Sequence, residues 1–140
     1  MHIMYALLCT LLMSITALAA DPEPFLKSAP MPFYPPVARQ ARIEGKVLLR
    51  VTINQAGETS VEGLSGHALL RDATVQYVKE WKFGWPHPCA CTVSREVTFV
   101  YKILTQEATP DSPIATVRWF GMGRVEIDSA PPHLEWQVSY

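Results

Sequence analysis

The sequence predicts an α+β domain, a three-stranded antiparallel sheet packed by two helices with a β-rich C-terminal extension, and three observations carry that prediction. Between Ser65 and Phe83, Leu69, Leu70, Ala73, Tyr77, Val78 and Trp81 recur at helical spacing, with Arg71, Asp72, Gln76, Lys79 and Lys82 on the opposite side. On either side of that stretch, Lys46 to Asn54 and Thr92 to Ile103 alternate at period two, the spacing of half-buried strands. A helix with one apolar face needs a surface to cover, and the flanking strands supply it.

A length of 140 residues suits one domain. Hydrophobic residues make up 49% of the chain, enough for a packed core, whereas a net charge of −1 gives no long-range field to draw nucleic acid or anionic lipid. Partners are therefore recognised by shape. The prolines gather at Pro22 to Pro36, Pro86 and Pro88, Pro110 and Pro113, and Pro131 and Pro132, so they mark connections and spare the elements.

Residues 1–20 carry a secretory signal pattern. Ile3 to Leu18 is apolar and free of Asp, Glu, Lys and Arg, and it ends in Ala17-Leu18-Ala19-Ala20 ahead of Asp21. Small residues at the −3 and −1 positions place cleavage after Ala19 or Ala20. With only His2 and the α-amino group as positive charge, a retained membrane anchor is the alternative, and membrane contact would then run through the N-terminus. Cys9 follows Leu7-Leu8 rather than the small residues of a lipidation signal, so Cys89 and Cys91 are the cysteines left after cleavage. Residues 21–33, with Pro22, Pro24, Pro30 and Pro32, form an extended arm that reaches at most about 45 Å.

From residue 34 the elements follow in order. Tyr34-Pro35-Pro36 opens a short helix, since proline in the first turn loses no hydrogen bond, and Val37, Ala38, Ala41 and Ile43 supply its buried stripe. After Gly45 comes a strand with Val47, Leu49, Val51 and Ile53 on one face. Asn54-Gln55-Ala56-Gly57 turns it into a weaker strand, Thr59 to Leu64, and the hairpin leads to the amphipathic helix. Gly66 opens that helix, and Gly84, Pro86 and Pro88 prevent its continuation past Phe83. The third strand shows Val93, Val97, Phe99, Tyr101 and Ile103 at period two, interrupted by Arg95.

These residues carry a resemblance. Tyr34-Pro35-Pro36 with Ala38 and Arg39, Ile43-Glu44-Gly45, Gly57 before Val61, Ser65-Gly66-His67 with Leu69-Leu70, and Trp81-Lys82-Phe83 resemble the TonB C-terminal domain family, with Val97, Phe99 and Tyr101 similar to its closing strand. The likeness runs from about Phe33 to Ile103. It implies a periplasmic, non-catalytic α+β domain of residues 34–104 that docks onto outer-membrane receptors by taking up a receptor strand, in the service of transmembrane transport. The resemblance places that docking on the third strand, at Ser94, Arg95, Glu96, Val97, Thr98 and Phe99. Its other motif positions are Tyr34, Pro35, Gly45, Gly66, Trp81 and Phe83. Energising members of the family have a long charged linker, where this chain has a short arm.

Residues 105–140 lie beyond the resemblance. A polar linker from Thr105 to Pro113 precedes three short strand patterns, Ala115 to Phe120, Arg124 to Ile127 and His133 to Val138, which either extend the sheet or form an arm. Trp119, Phe120 and Trp136 would make a large apolar patch if uncovered, so they are expected to pack on the domain or on a partner.

His87-Pro88-Cys89-Ala90-Cys91 is the one cluster with ligand chemistry. Three ligands fall short of a structural zinc site, and in an oxidising compartment Cys89 and Cys91 are placed to bond to each other. Extended i, i+2 positions lie near the upper limit for a disulfide, so the bond requires a kink. His67 and His133 sit in no nucleophile or metal motif, and Tyr77 with Trp81 is a core pair. No catalytic residue, metal or cofactor is assigned. Two readings stand beside the interaction module: a self-associating domain in which the sheet edge pairs with a second copy, and a small redox or metal-handling protein using His87, Cys89 and Cys91.

Overall fold

The computed structural model describes residues 22–105 and 115–132. The signal stretch, the strand expected from His133 to Val138 and Trp136 lie outside them. The elements are β1 (Phe25–Ser28), α1 (Pro36–Gln40), β2 (Gly45–Ile53), β3 (Thr59–Ser65), α2 (Ala68–Lys79), β4 (Lys82–Gly84), β5 (Val93–Ile103), β6 (Ala115–Phe120) and β7 (Arg124–Ser129).

The main sheet has five strands, not three, in the order β3-β2-β5-β7-β6. The expected three-stranded antiparallel sheet is there as β3, β2 and β5, with Val51 opposite both Val61 and Arg95. The extension supplies the other two strands. It folds back from Ile103, runs as β6 along the far edge, turns at Gly121 to Gly123 and inserts β7 between β6 and β5. That placement makes β7 parallel to β5. The physical reason for the two added strands is legible in β7: Val125 and Ile127, two apart, both point to the helix side and are fully buried. Their burial stabilises the arrangement by roughly 1.5–3 kcal/mol each.

The helices cover one face of the sheet. Val47, Leu49, Val51 and Ile53 of β2, Val97, Phe99 and Tyr101 of β5, and Val125 and Ile127 of β7 meet Leu70, Tyr77 and Val78 of α2 and Trp81 just beyond it. The i, i+4, i+7, i+8 face of α2 is thus Leu70, Thr74, Tyr77 and Val78, rotated from the expected one, so that Leu69 is 41% exposed. A threonine is tolerated there because its hydroxyl is satisfied: it donates to the Leu70 carbonyl, and the Tyr101 hydroxyl, 2.8 Å away, donates to it in turn. In α1 only Ala38 is buried, and Val37 is 64% exposed, because Pro36 starts a helix barely one turn long with a narrow inward face. His67 caps α2, its Nδ1 accepting from the Leu69 N–H at 3.2 Å.

The arm is an element in its own right. Phe25–Ser28 pairs antiparallel with β4, Leu26 opposite Phe83, and the Tyr77 hydroxyl donates to the Pro30 carbonyl at 2.7 Å. Directly beneath, the hairpin turn presses on β4: the Phe83 N–H donates to the Gly57 carbonyl at 2.9 Å, and a Cβ on Gly57 would stand 1.9 Å from the Phe83 oxygen. With φ at +78°, that position admits glycine alone in comfort.

Two buried tyrosines make the fold sensitive to alkali. Burial pushes the Tyr101 hydroxyl up to about 12, and burial together with the Glu44 carboxylate raises Tyr34 to about 12, from the ordinary 10.0. The unfolded chain therefore releases these protons first. The stability they contribute is whole below about pH 10 and is lost as pH climbs toward 12. Denaturation midpoints should stay level to about pH 9.5 and then fall, with a smaller fall for Tyr101→Phe. Equal alkaline falls in the two proteins would show that another group titrates.

Candidate partner-strand interface

Strand β5 has two lateral sides with different fates. Over most of its length, from Val93 opposite Ile53 to Tyr101 opposite Gly45, one side is bonded to β2. The other side is bonded to β7 only from Thr98 opposite Arg124 to Ile103 opposite Ser129. Among the described residues, no strand runs beside Val93–Val97 on that side.

Which groups are left open follows from the pleat. The Thr98 N–H donates to the Gly123 carbonyl at 2.9 Å and the Leu104 N–H to Ser129 at 2.8 Å, so even-numbered residues of β5 face the β7 side. Successive residues alternate, which puts the main-chain groups of Ser94 and Glu96 on the open flank and those of Arg95, Val97 and Phe99 toward β2. Arg95 reaches round to the flank, its guanidinium donating to the Ser94 carbonyl at 3.1 Å and pairing with Glu23 of the arm. What remains for another chain is the Ser94 N–H and both main-chain groups of Glu96.

The residues expected at the interface thus divide. Ser94 and Glu96 present backbone, Arg95 frames it, Val97 and Phe99 put their side chains into the core, and Thr98 is engaged by Gly123. On the solvent face, Arg50 lies between Glu62 at 3.4 Å and Glu96 at 3.6 Å, and the Thr52 and Ser94 hydroxyls are 2.9 Å apart. Such exposed pairs contribute little to stability, but they hold the side chains flanking the open groups in a row of ion pairs and hydrogen bonds.

The family-motif residues build the frame. The Tyr34 hydroxyl donates to the Ile43 carbonyl and Pro35 accepts from the Arg39 N–H, tying α1 to the start of β2 at Gly45. Gly66 lets the entry to α2 pass so close to Lys46 that a Cβ would lie 2.9 Å from its oxygen. Trp81 and Phe83 are core. Trp119 packs on Trp81 with ring centroids 5.6 Å apart and tilted yet is still 42% exposed, and Phe120 stays 53% exposed beneath the Arg124 guanidinium.

Cys89 and Cys91 are joined by a disulfide with Cα atoms 5.2 Å apart, in the irregular stretch between β4 and β5 where the chain is free to kink. The bond consumes both thiols as metal ligands, and among the described residues no three His, Cys, Asp or Glu side chains are grouped to hold a metal.

Sequence reasoning missed Arg39. Named above only among the residues that carry the resemblance, it donates from Nε to the Ala130 carbonyl at 3.0 Å and from a terminal nitrogen to Pro131 at 3.3 Å. No local pattern announces a contact across ninety residues of chain.

A helix-backed sheet with a partly open flank on its central strand is the frame of this small α+β domain. The family model for the Gram-negative bacterial TonB protein C-terminal matches residues 30–103, over half of the chain, and the chain belongs to that family. The family is a non-catalytic interaction domain, and its TonB-like members are periplasmic. Among solved structures, the solution NMR structure of the Pseudomonas aeruginosa TonB CTD is 25% identical, covering 57% of this chain and 84% of that one with a TM-score of 0.43. Comparison with curated proteins found no match. No helix among the described residues is long and apolar enough to cross a membrane.

Proposed function

We propose that this chain is an exported interaction module that receives an extended segment of an envelope protein, of the outer-membrane-receptor type, as an added strand along Val93–Val97 of β5, in the service of transmembrane transport. The observation that carries the reading is the set of main-chain groups of Ser94 and Glu96 on a flank with no neighbouring strand among the described residues. In strand addition the main-chain hydrogen bonds supply affinity and alternate side chains supply specificity. Membership of the TonB C-terminal family and the signal pattern of residues 1–20 support the periplasm as the place of action.

The test is a titration of isotope-labelled protein with a synthetic peptide copying the N-terminal periplasmic segment of an outer-membrane receptor encoded in the same genome. The Ser94 and Glu96 amides should shift and become protected from solvent exchange. Protection confined to β3 or to β6, or no binding at all, would overturn the reading. Changes in β6 that depend on protein concentration and need no peptide would instead favour self-association through that edge.

A further inference from the structure

We propose that β7 is an internal occupant of the strand-accepting side of β5, latched by Arg39, and that a partner segment with β7's own side-chain pattern gains this side by exchanging with it. The inference rests on the reading that β5 accepts a partner strand.

The open stretch and the occupied stretch are one continuous flank. Val93–Val97 and Thr98–Ile103 follow each other on the same side of the same strand, and β7 begins beside Thr98. A segment running parallel to β5 from its N-terminal end therefore meets the Gly121 to Gly123 turn after about five residues. A short segment fits ahead of the turn, and a longer one competes with β7 for the rest.

The hairpin is bonded in a way that suits release as a unit. Its polar face is satisfied internally: Arg118 pairs with Asp128 at 2.8 Å and with Glu126 at 3.0 Å, and Arg124 pairs with Glu126 at 2.6 Å. None of those contacts involves β5, so none breaks when the two strands part. What holds β7 to the domain is what another strand can replace: the ladder to β5, Val125 beside Phe99 and Ile127 beside Tyr101. Two further ties belong to this chain alone. Trp119 rests on Trp81, and Arg39 takes the Ala130 and Pro131 carbonyls just past the end of β7. Among the described residues Arg39 pairs with no carboxylate, and backbone oxygens are its partners.

The seated strand also states the chemistry of the segment that would replace it. That segment is extended and parallel to β5, carries branched aliphatic side chains two residues apart, and ends in a small residue at the position of the buried Ser129. A segment that stops at the Ser129 position offers Arg39 neither carbonyl, so the latch holds the internal strand alone.

If exchange is limited by opening, apparent affinity scales with the fraction of molecules in which β7 is displaced. The probe is a fluorescent peptide copying Arg124–Ser129, which stops short of the two carbonyls that Arg39 takes, with a control in which the positions of Val125 and Ile127 are serine, titrated into the full chain. Arg39→Ala should bind the copy about tenfold more tightly than the parent, the scale expected on losing a hydrogen bond from a charged donor. Amide exchange of Val125–Ser129 should quicken in the same variant while that of β2 and α2 is unchanged. The control peptide should bind neither protein, and Arg39→Lys, which keeps the charge, should fall between them. Should alanine cost the fold, Arg39→Lys carries the comparison. The proposal is overturned if β7 exchanges faster with no gain in affinity, if neither quantity moves, or if the serine control binds equally well. A receptor peptide that protects Ser94 and Glu96 while the β7 copy never binds would sink the exchange and leave strand addition standing. Binding of the copy at Thr98 to Ile103, with no receptor peptide bound anywhere, would do the reverse.

Discussion

Trp81→Ala should lower the free energy of unfolding by about 3–5 kcal/mol, the largest effect expected of a truncation in this chain. Trp81 is fully buried at the meeting point of the layers, 5.8 Å from the Tyr77 ring, 6.0 Å from Phe99 and 5.6 Å from Trp119. Its removal leaves a hole walled by α2, the sheet and the C-terminal hairpin, which cannot all collapse inward together. The indole Nε1 has no hydrogen-bond partner among the described residues, so the loss is one of packing. Trp81→Phe should accordingly cost less, since it keeps much of the ring and removes a buried donor that is unpaired. Lys79→Ala, on the exposed side of α2, should change stability by under about 0.5 kcal/mol. Matching denaturant midpoints for the two alanine variants would show that Trp81 is not where the core is anchored.

Glu96→Pro and Val97→Pro should differ in kind although they are neighbours. The Val97 N–H faces β2 in the middle of the longest ladder of the sheet, and its side chain is core. Proline there deletes a bond between two buried strands and forces its ring against β2, a change of about 3 kcal/mol or more that should unfold much of the population. The Glu96 N–H faces the open flank, where proline is tolerated as it is on an edge strand. Glu96→Pro should therefore stay folded with a modest loss and lose affinity for a receptor peptide. Thermal melts separate the two variants. A folded Glu96→Pro protein with undiminished binding would remove Val93–Val97 from consideration as the accepting strand.

What could be read in the sequence follows the range of the forces involved. Period two in Lys46 to Asn54 and Thr92 to Ile103 located β2 and β5 because the alternation is imposed locally by one buried face. The same signal marked Arg124 to Ile127 and Ala115 to Phe120 as strands. It could not say where they pair, because the choice of lateral neighbour depends on hydrogen-bonding groups that every residue carries alike. The rotation of α2 was missed for a similar reason: Thr74 looks polar in isolation and becomes a core residue only when Tyr101, on another element, satisfies its hydroxyl. The β1–β4 pair was hidden by prolines on both sides of Phe25 and Leu26, which read as arm. Residue types alone place Ser94 and Glu96 in a strand; that their backbone is the open part depends on β7 stopping at Thr98.

The parallel pairing of β5 with β7 has a consequence in time. β7 lies between two strands that are both made before it, so the sheet cannot close in the order in which the chain emerges. One side of β5 therefore stays bare until the last of the hairpin has been made. A newly made chain thus passes through an interval in which an eleven-residue strand offers its whole flank to any extended chain nearby, including another nascent copy. The hairpin ends that interval, and the strand it leaves outermost, β6, is short and carries Arg118 at its centre, features that make a poor template for aggregation.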